Sequence, residues 1–171
     1  MANPIEIFKA GTHTSSDGQR LTFSEGDIAR CAAAYDPDLS DAPLVVGHPQ
    51  TDAPAYGWVD RLRADGGVLK ASTRQVDPAF SEMVNAGRFR RVSAAFFMPN
   101  APNNPKPGTV YLRHVGFLGA QPPAVKRLKA ASFSANSAAV LQGGDPPEFV
   151  FVDALDVAVA AGAKIDVLLR R

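Results

Sequence analysis

The chain has 171 residues, which fits one domain and leaves little room for a second. Its 18 basic and 17 acidic side chains give a net charge of +1, and 46% of the residues are hydrophobic. These values disfavour a disordered chain and a generally polybasic nucleic-acid-binding protein. The single cysteine, Cys31, excludes a disulfide or a multi-cysteine metal cage within this chain and suits a reducing cytosol.

The N-terminal part is predicted as a strand, a loop and a helix. Residues 5–8 (IEIF) have the composition of a short strand, and residues 12–18 (THTSSDG) are typical of a turn-rich loop. Ser24 is suited to cap a helix whose apolar positions recur at helical spacing until Pro37 ends it. Cys31 falls on that apolar face, and we interpret it as a core residue rather than a nucleophile.

The next segments predict a buried strand and a hairpin. Residues 42–49 (APLVVGHP) form a brief apolar run that delivers His48 to the end of a strand. Residues 55–62 and 68–74 are predicted strands, joined across the turn signal of residues 64–67 (ADGG).

A second helix and two further strands follow. Pro78 suits the first turn of a helix that residues 86–87 end. Residues 88–98 and 109–120 are predicted strands on either side of the Pro/Asn-rich loop 99–108. Strands joined by one loop tend to pair antiparallel, so we expect this pair to do so.

Alternation along the two predicted strands places their polar residues on defined faces. Ser93 is expected to share a face with Arg91, Ala95 and Phe97. His114 is expected to share one with Leu112, Gly116 and Leu118. Antiparallel pairing would bring the Ser93 region roughly opposite the His114 region.

The C-terminal third predicts a change of character after residue 130. Residues 124–129 are interpreted as a short helix that closes a domain of residues 1–130. Residues 131–148 are small and polar and are interpreted as a linker with a candidate self-cleavage region. Residues 149–171 form an apolar C-terminal extension, either packed or available to a partner.

Three side chains have the chemistry of a catalytic set. A serine within reach of an imidazole can act as a nucleophile when a third group fixes the imidazole tautomer. Ser93, His48 and His114 can supply these three roles. The alternative is that each is a structural residue with satisfied hydrogen bonds.

Other site chemistries have little support in the sequence. A metal site would need His48 and His114 plus an aspartate such as Asp52 or Asp60, and no local metal-binding motif is present. No phosphate-binding glycine motif is found, so we expect no cofactor. The arginines of residues 88–91 are too few to predict nucleic-acid binding, and no stretch approaches the ~18 apolar residues of a membrane span.

Four segments within residues 4–129 carry a resemblance to a known family. They are residues 42–49 (APLVVGHP), 55–59 (AYGWV), 91–97 (RVSAAFF) and 111–125 (YLRHVGFLGAQPPAV). In order and spacing they resemble the head-maturation (prohead) proteases of tailed phages, in the branch of the Mu-type phage protease or I-like protein.

The resemblance implies a fold shared with the herpesvirus assemblins. That fold is α+β and mainly β, an antiparallel β-barrel with a few flanking helices. It also implies a serine and two histidines in the chain order His, Ser, His, which His48, Ser93 and His114 reproduce. In those roles Ser93 attacks the scissile carbonyl, His48 transfers the proton to the leaving amine, and His114 orients His48, without a metal or cofactor.

The function implied is that of a serine endopeptidase that processes capsid and scaffold proteins during phage head maturation. Its place would be the host cytoplasm, within proheads, and a homodimer is expected by analogy. Residues 128–132 (LKAAS) resemble the sites that assemblins cut, which suggests self-cleavage after Ala131. Residues 149–171 are shorter and more apolar than the scaffolding region of that family. A non-catalytic capsid-assembly module that keeps the fold is therefore the alternative.

Overall fold

The computed structural model describes residues 4–15, 18–123 and 125–134, which form eight strands and two helices. The prediction of a mainly β protein with helices is therefore confirmed. The helices are α1 (Glu25–Ala34) and α2 (Pro78–Asn85). The strands are β1 (Ile5–Lys9), β2 (Gly11–Thr14), β3 (Arg20–Phe23), β4 (Leu44–Val46), β5 (Trp58–Asp65), β6 (Val68–Arg74), β7 (Arg91–Phe97) and β8 (Tyr111–Leu118).

Both helices begin where local capping chemistry favours it. Ser24 accepts a hydrogen bond from the Asp27 backbone N–H of α1, and the Asp27 carboxylate accepts one from the Ser24 backbone, a reciprocal capping box. The Asp77 side chain accepts from the Phe80 N–H at the start of α2, where Pro78 has no N–H to satisfy. Cys31 is buried on the inner face of α1, as predicted.

The strands form three sheets, with the orders β1-β6-β5, β2-β3 and β4-β8-β7. The hairpin of β5 and β6 and the antiparallel pair of β7 and β8 confirm two predicted pairings. Strand β4 pairs with β8 in parallel, which the sequence did not predict. The three sheets do not join into one closed ladder within the described residues, so the barrel stays a prediction.

Two local predictions are wrong. Residues 12–14, the first part of the segment expected as a loop, lie in β2 and pair with β3, because Thr12 and Thr14 fit an exposed strand as readily as a turn. Residues 124–129, expected as a short helix, are not helical at their described positions 125–129. Arg127 has φ of 65°, a left-handed conformation that a right-handed helix excludes.

The described chain after residue 124 packs onto the rest of the domain. Ala131 and Phe133 are buried in the same core as Phe80 and Phe117, and Phe133 lies in ring contact with both of these. The Asn85 side chain exchanges two hydrogen bonds with the Phe133 backbone, of 2.8 and 3.0 Å. Close packing therefore continues to residue 133, three residues past the predicted domain boundary.

The remaining C-terminal predictions concern residues that the structure does not describe. Most of the predicted linker and the whole extension of residues 149–171 lie outside the described residues, and their boundaries stay a prediction. Neither α1 nor α2 has the length and apolar character that crossing a membrane requires, and the described residues contain no other helix.

We expect Tyr111→Phe to destabilise the fold by about 2 kcal/mol, because three backbone groups lose their hydrogen-bond partner. The Tyr111 hydroxyl lies 2.7 Å from Asp36 O and 2.8 Å from Ser40 O, and it accepts from the Asp36 N–H at 3.2 Å. These bonds secure the loop between α1 and β4. Urea unfolding of both proteins measures the difference, and an unchanged midpoint would contradict this role.

Candidate active site

His48 lies just beyond the end of β4, at a sharp bend in the chain. Leu44, Val45 and Val46 pair in parallel with residues 115–117 of β8, and the Gly47 N–H donates to Phe117 O at 2.9 Å. Gly47 then adopts φ of +68°, a left-handed conformation that favours glycine. The bend turns the chain over β8 and brings His48 with it, as the sequence predicted for a strand end.

His114 lies within β8 and meets His48 across the parallel pair. Its side chain is buried, with 7% of the residue exposed. The His48 Nδ1 and His114 Nε2 atoms are 2.8 Å apart, a hydrogen bond between the two imidazoles. The ring centroids are 5.0 Å apart with an interplanar angle of 45°. The structure therefore brings together two of the three predicted site residues.

Ser93 lies on the neighbouring strand and on the same face as His114. In the β7–β8 register Ser93 is opposite Gly116 and Ala95 is opposite His114. Directly opposed residues point to the same face of an antiparallel pair. The register shift between Ala95 and Phe96 skips Arg113, so the extra residue interrupts the alternation of β8 and leaves that of β7 intact. The predicted common face of Leu112 and His114 therefore does not follow, and Leu112 is buried in the core with Val115 and Phe117.

The distance between Ser93 and His48 is limited by Gly116. Opposed Cβ atoms are about 5 Å apart, and a Cβ on Gly116 would lie 3.2 Å from His48 Cε1, so Ser93 Cβ is at most about 9 Å from that atom. The three predicted residues therefore occupy one region of one sheet face. Within the described residues no hydrogen bond joins the Ser93 hydroxyl to either histidine.

The hydrogen bond between the histidines determines which nitrogen of His48 can act as a base. Because Nδ1 is directed to His114, Nε2 is the nitrogen available to another group. Nε2 has a free lone pair when the His48 proton is on Nδ1 and forms the hydrogen bond to His114 Nε2. A Ser-His-Asp set uses its histidine in the same way, with the orienting group on Nδ1 and the serine on Nε2.

Both imidazoles are held in their neutral forms at neutral pH. Burial lowers the pKa of His114 to about 4, and the charges of His48 and Arg113 act in the same direction. Packing around its ring also lowers the pKa of His48, although the residue keeps an exposed edge, and Arg113 is again a cause. A neutral His48 is the form that can accept a proton.

Sequence reasoning missed two residues that shape this site. Arg113 is exposed on β8 with its guanidinium 5.7 Å from the Phe97 ring centroid, and its charge reaches both histidines. Arg113 could have been found from the sequence, because it is the neighbour of His114. Gly116 is the second residue, and only the three-dimensional packing shows its importance.

The metal alternative gains nothing from the structure. Among residues 4–15, 18–123 and 125–134, no group of three His, Cys, Asp or Glu side chains could hold a metal ion. Asp52 and Asp60 are both exposed and do not join the histidine pair as a ligand set.

No protein-family model and no curated protein matches the sequence. The backbone is similar to crystal structures of the Kaposi's sarcoma-associated herpesvirus protease. One, with an allosteric inhibitor, has a TM-score of 0.46 at 12% identity over 80% of this chain and 77% of that chain. Another, with a dimer disruptor, has a TM-score of 0.45 at 15% identity over 77% and 74%. At this level of identity and overlap, the similarity says nothing about activity.

We expect the fold to lose stability as the pH falls from 6.5 towards 4, and His114→Gln to lose less. The folded pKa of His114, about 4, is below its ordinary value of 6.5. Between these two pKa values the unfolded chain binds a proton at His114 that the folded chain does not. The contribution of neutral His114 to the free energy of unfolding is therefore complete above pH 6.5 and is lost on acidification. Urea unfolding across this range measures it, and equal pH slopes for the two proteins would contradict the buried neutral state.

Proposed function

We propose that this protein is a serine endopeptidase with Ser93 as nucleophile, His48 as general base and His114 as the residue that orients His48. One observation carries the proposal: the 2.8 Å hydrogen bond between His48 Nδ1 and His114 Nε2, on the sheet face to which Ser93 belongs. A bond through Nδ1 leaves Nε2 for the serine, which is the division of roles that nucleophilic catalysis requires.

The reaction follows from these positions. Ser93 Oγ forms a bond to the scissile carbonyl carbon while its proton passes to His48 Nε2. The peptide C–N bond then breaks, and His48 returns the proton to the leaving amine. Water attacks the resulting ester and loses a proton to His48. The ester C–O bond then breaks as His48 passes that proton to Ser93 Oγ, and the second product leaves as a carboxylic acid. The Ser93 hydroxyl must move within hydrogen-bonding distance of His48 when substrate binds.

The partner histidine has a consequence for the rate. A neutral imidazole stabilises the His48 imidazolium less than a carboxylate would, because it supplies a dipole instead of a full opposite charge. Slow turnover is sufficient for an enzyme that cuts each substrate once. This supports capsid and scaffold proteins as substrates, within phage proheads in the host cytoplasm, as the sequence resemblance implies. A homodimer is part of the same proposal.

Self-cleavage after Ala131 is retained as a hypothesis with a structural condition. Ala131 and Phe133 are both buried, and Asn85 holds the Phe133 backbone. A protease binds its substrate as an accessible extended segment, so residues 131–134 must leave the core before that bond can be cut.

We expect diisopropyl fluorophosphate to label Ser93 in the wild-type protein, because an activated serine displaces fluoride from this reagent. Ser93→Ala and His48→Ala should both abolish the mass increase, and Ser72→Ala, which changes a half-buried serine on β6, should leave it intact. Intact-mass spectrometry and peptide mapping give the result. Unlabelled, folded wild-type protein would contradict the proposal and favour a non-catalytic assembly module.

Cleavage itself is tested with the same variants. Each protein is incubated alone and with a candidate capsid or scaffold protein, and intact masses are followed for a day. Fragments that require both Ser93 and His48 support the endopeptidase. If Ser93 is labelled but no protein is cleaved, the proposal of an activated serine stands and capsid and scaffold proteins are rejected as substrates.

We expect Arg113→Gln to move the acid limb of the labelling rate to higher pH. The Arg113 charge is one cause of the lowered pKa of His48, so its removal raises that pKa, and neutral His48 then requires a higher pH. The measurement is the labelling rate against pH, with Arg88→Gln, another exposed arginine, as the matched control. Identical limbs for wild type and Arg113→Gln would exclude this electrostatic role.

A further inference from the structure

Gly116 contacts the His48 segment from β8, the strand that pairs with the strand of Ser93. It is the register partner of Ser93 in the β7–β8 pair and of Val45 in the β4–β8 pair. It therefore lies at the centre of the three-stranded sheet, between the strand of the proposed nucleophile and the strand that ends at the proposed base.

A side chain at position 116 would occupy the space that the His48 segment fills. A Cβ there would lie 2.1 Å from Gly47 O, 3.1 Å from Gly47 C and 3.2 Å from His48 Cε1. The first two atoms are backbone, and the segment has little freedom because the Gly47 N–H is bonded to Phe117 O. Relief of the clash therefore requires movement of Gly47 and His48 together.

The requirement at Gly116 is for space and not for an unusual backbone. Gly116 is an ordinary strand residue without a positive φ. Gly47 is the opposite case, since it has φ of +68° and open space where a Cβ would be. One glycine permits the bend, and the other permits the bent chain to settle against β8.

We propose that Gly116 is a positioning residue for catalysis, whose missing side chain seats Gly47 and His48 against β8 so that His48 meets His114 and faces Ser93. The inference rests on the proposed function. Gly116 touches neither substrate nor the reacting atoms and acts through His48. Any residue with a Cβ displaces His48 from His114 Nε2, and a misplacement of about 1 Å can reduce a catalytic rate by about 100-fold.

The test is Gly116→Ala beside Gly119→Ala. A Cβ on Gly119 would meet its nearest atom, Arg88 O, at 3.4 Å, in ordinary van der Waals contact. Both variants receive the same added methyl group a few residues apart. We expect Gly116→Ala to be labelled by diisopropyl fluorophosphate about 100-fold more slowly than wild type, and Gly119→Ala at the wild-type rate.

A second readout separates positioning from a general structural role. NMR of the histidine rings should show the His48 and His114 tautomers and their coupling disrupted in Gly116→Ala and retained in Gly119→Ala. If the wild type is labelled and Gly116→Ala shows the same labelling rate and the same histidine-ring signals, the role of Gly116 is overturned and the protease proposal stays intact. If the wild type is not labelled, the protease proposal is overturned. The histidine-ring NMR signals of the two variants would then show by themselves whether Gly116 seats His48.

The wild-type protein supplies a check that does not depend on the folding of a variant. One α-proton of Gly116 replaces the missing Cβ and lies against the His48 ring. A nuclear Overhauser effect between this proton and the His48 Hε1 proton is expected. If Gly116→Ala does not fold, the presence of this signal supports the seating of His48, and its absence overturns it.

Discussion

Strand β8 is the element on which the arrangement of the site depends. It is the central strand of its sheet, hydrogen-bonded to β4 in parallel on one side and to β7 antiparallel on the other. It carries His114 itself and fixes the positions of His48 and Ser93 through the registers of its two neighbours. A shift of one residue in either register would reverse the faces of the side chains and separate the three groups.

The choice of a histidine as partner for His48 suits the burial of position 114. An ionised carboxylate with so little exposure would need several hydrogen bonds to offset the loss of water, and the neighbours Val115 and Leu112 are buried apolar side chains. A neutral imidazole avoids this cost and still offers a ring nitrogen to His48. The same burial that lowers the pKa of His114 keeps it in that neutral form. The stability of the fold thus favours a partner that is electrostatically weaker in the proposed reaction.

Sequence patterns predicted the local parts of this structure well. Capping residues and apolar spacing located both helices, and the loop between β7 and β8 implied the antiparallel pairing that places Ser93 near His114. They did not predict the parallel pairing of β4 with β8, because it joins residues 71 positions apart, such as Val45 and Gly116, through contacts that no local pattern encodes. Gly116 was missed for the same reason: its importance lies in the chain that crosses it, and its own backbone is ordinary.

One face of β8 packs in the hydrophobic core, and the other carries the candidate site. Phe117 points away from Gly116 into an aromatic cluster with Phe80 and Phe133, and Asn85 secures Phe133 by its backbone. Successive strand residues point to opposite faces, so the apolar packing lies behind the strand and the histidine pair lies in front of it. The rear face is buried in the core, while the front face carries a glycine because a larger residue would clash with Gly47 O. The missing side chain at Gly116 is therefore a requirement of the segment that carries His48.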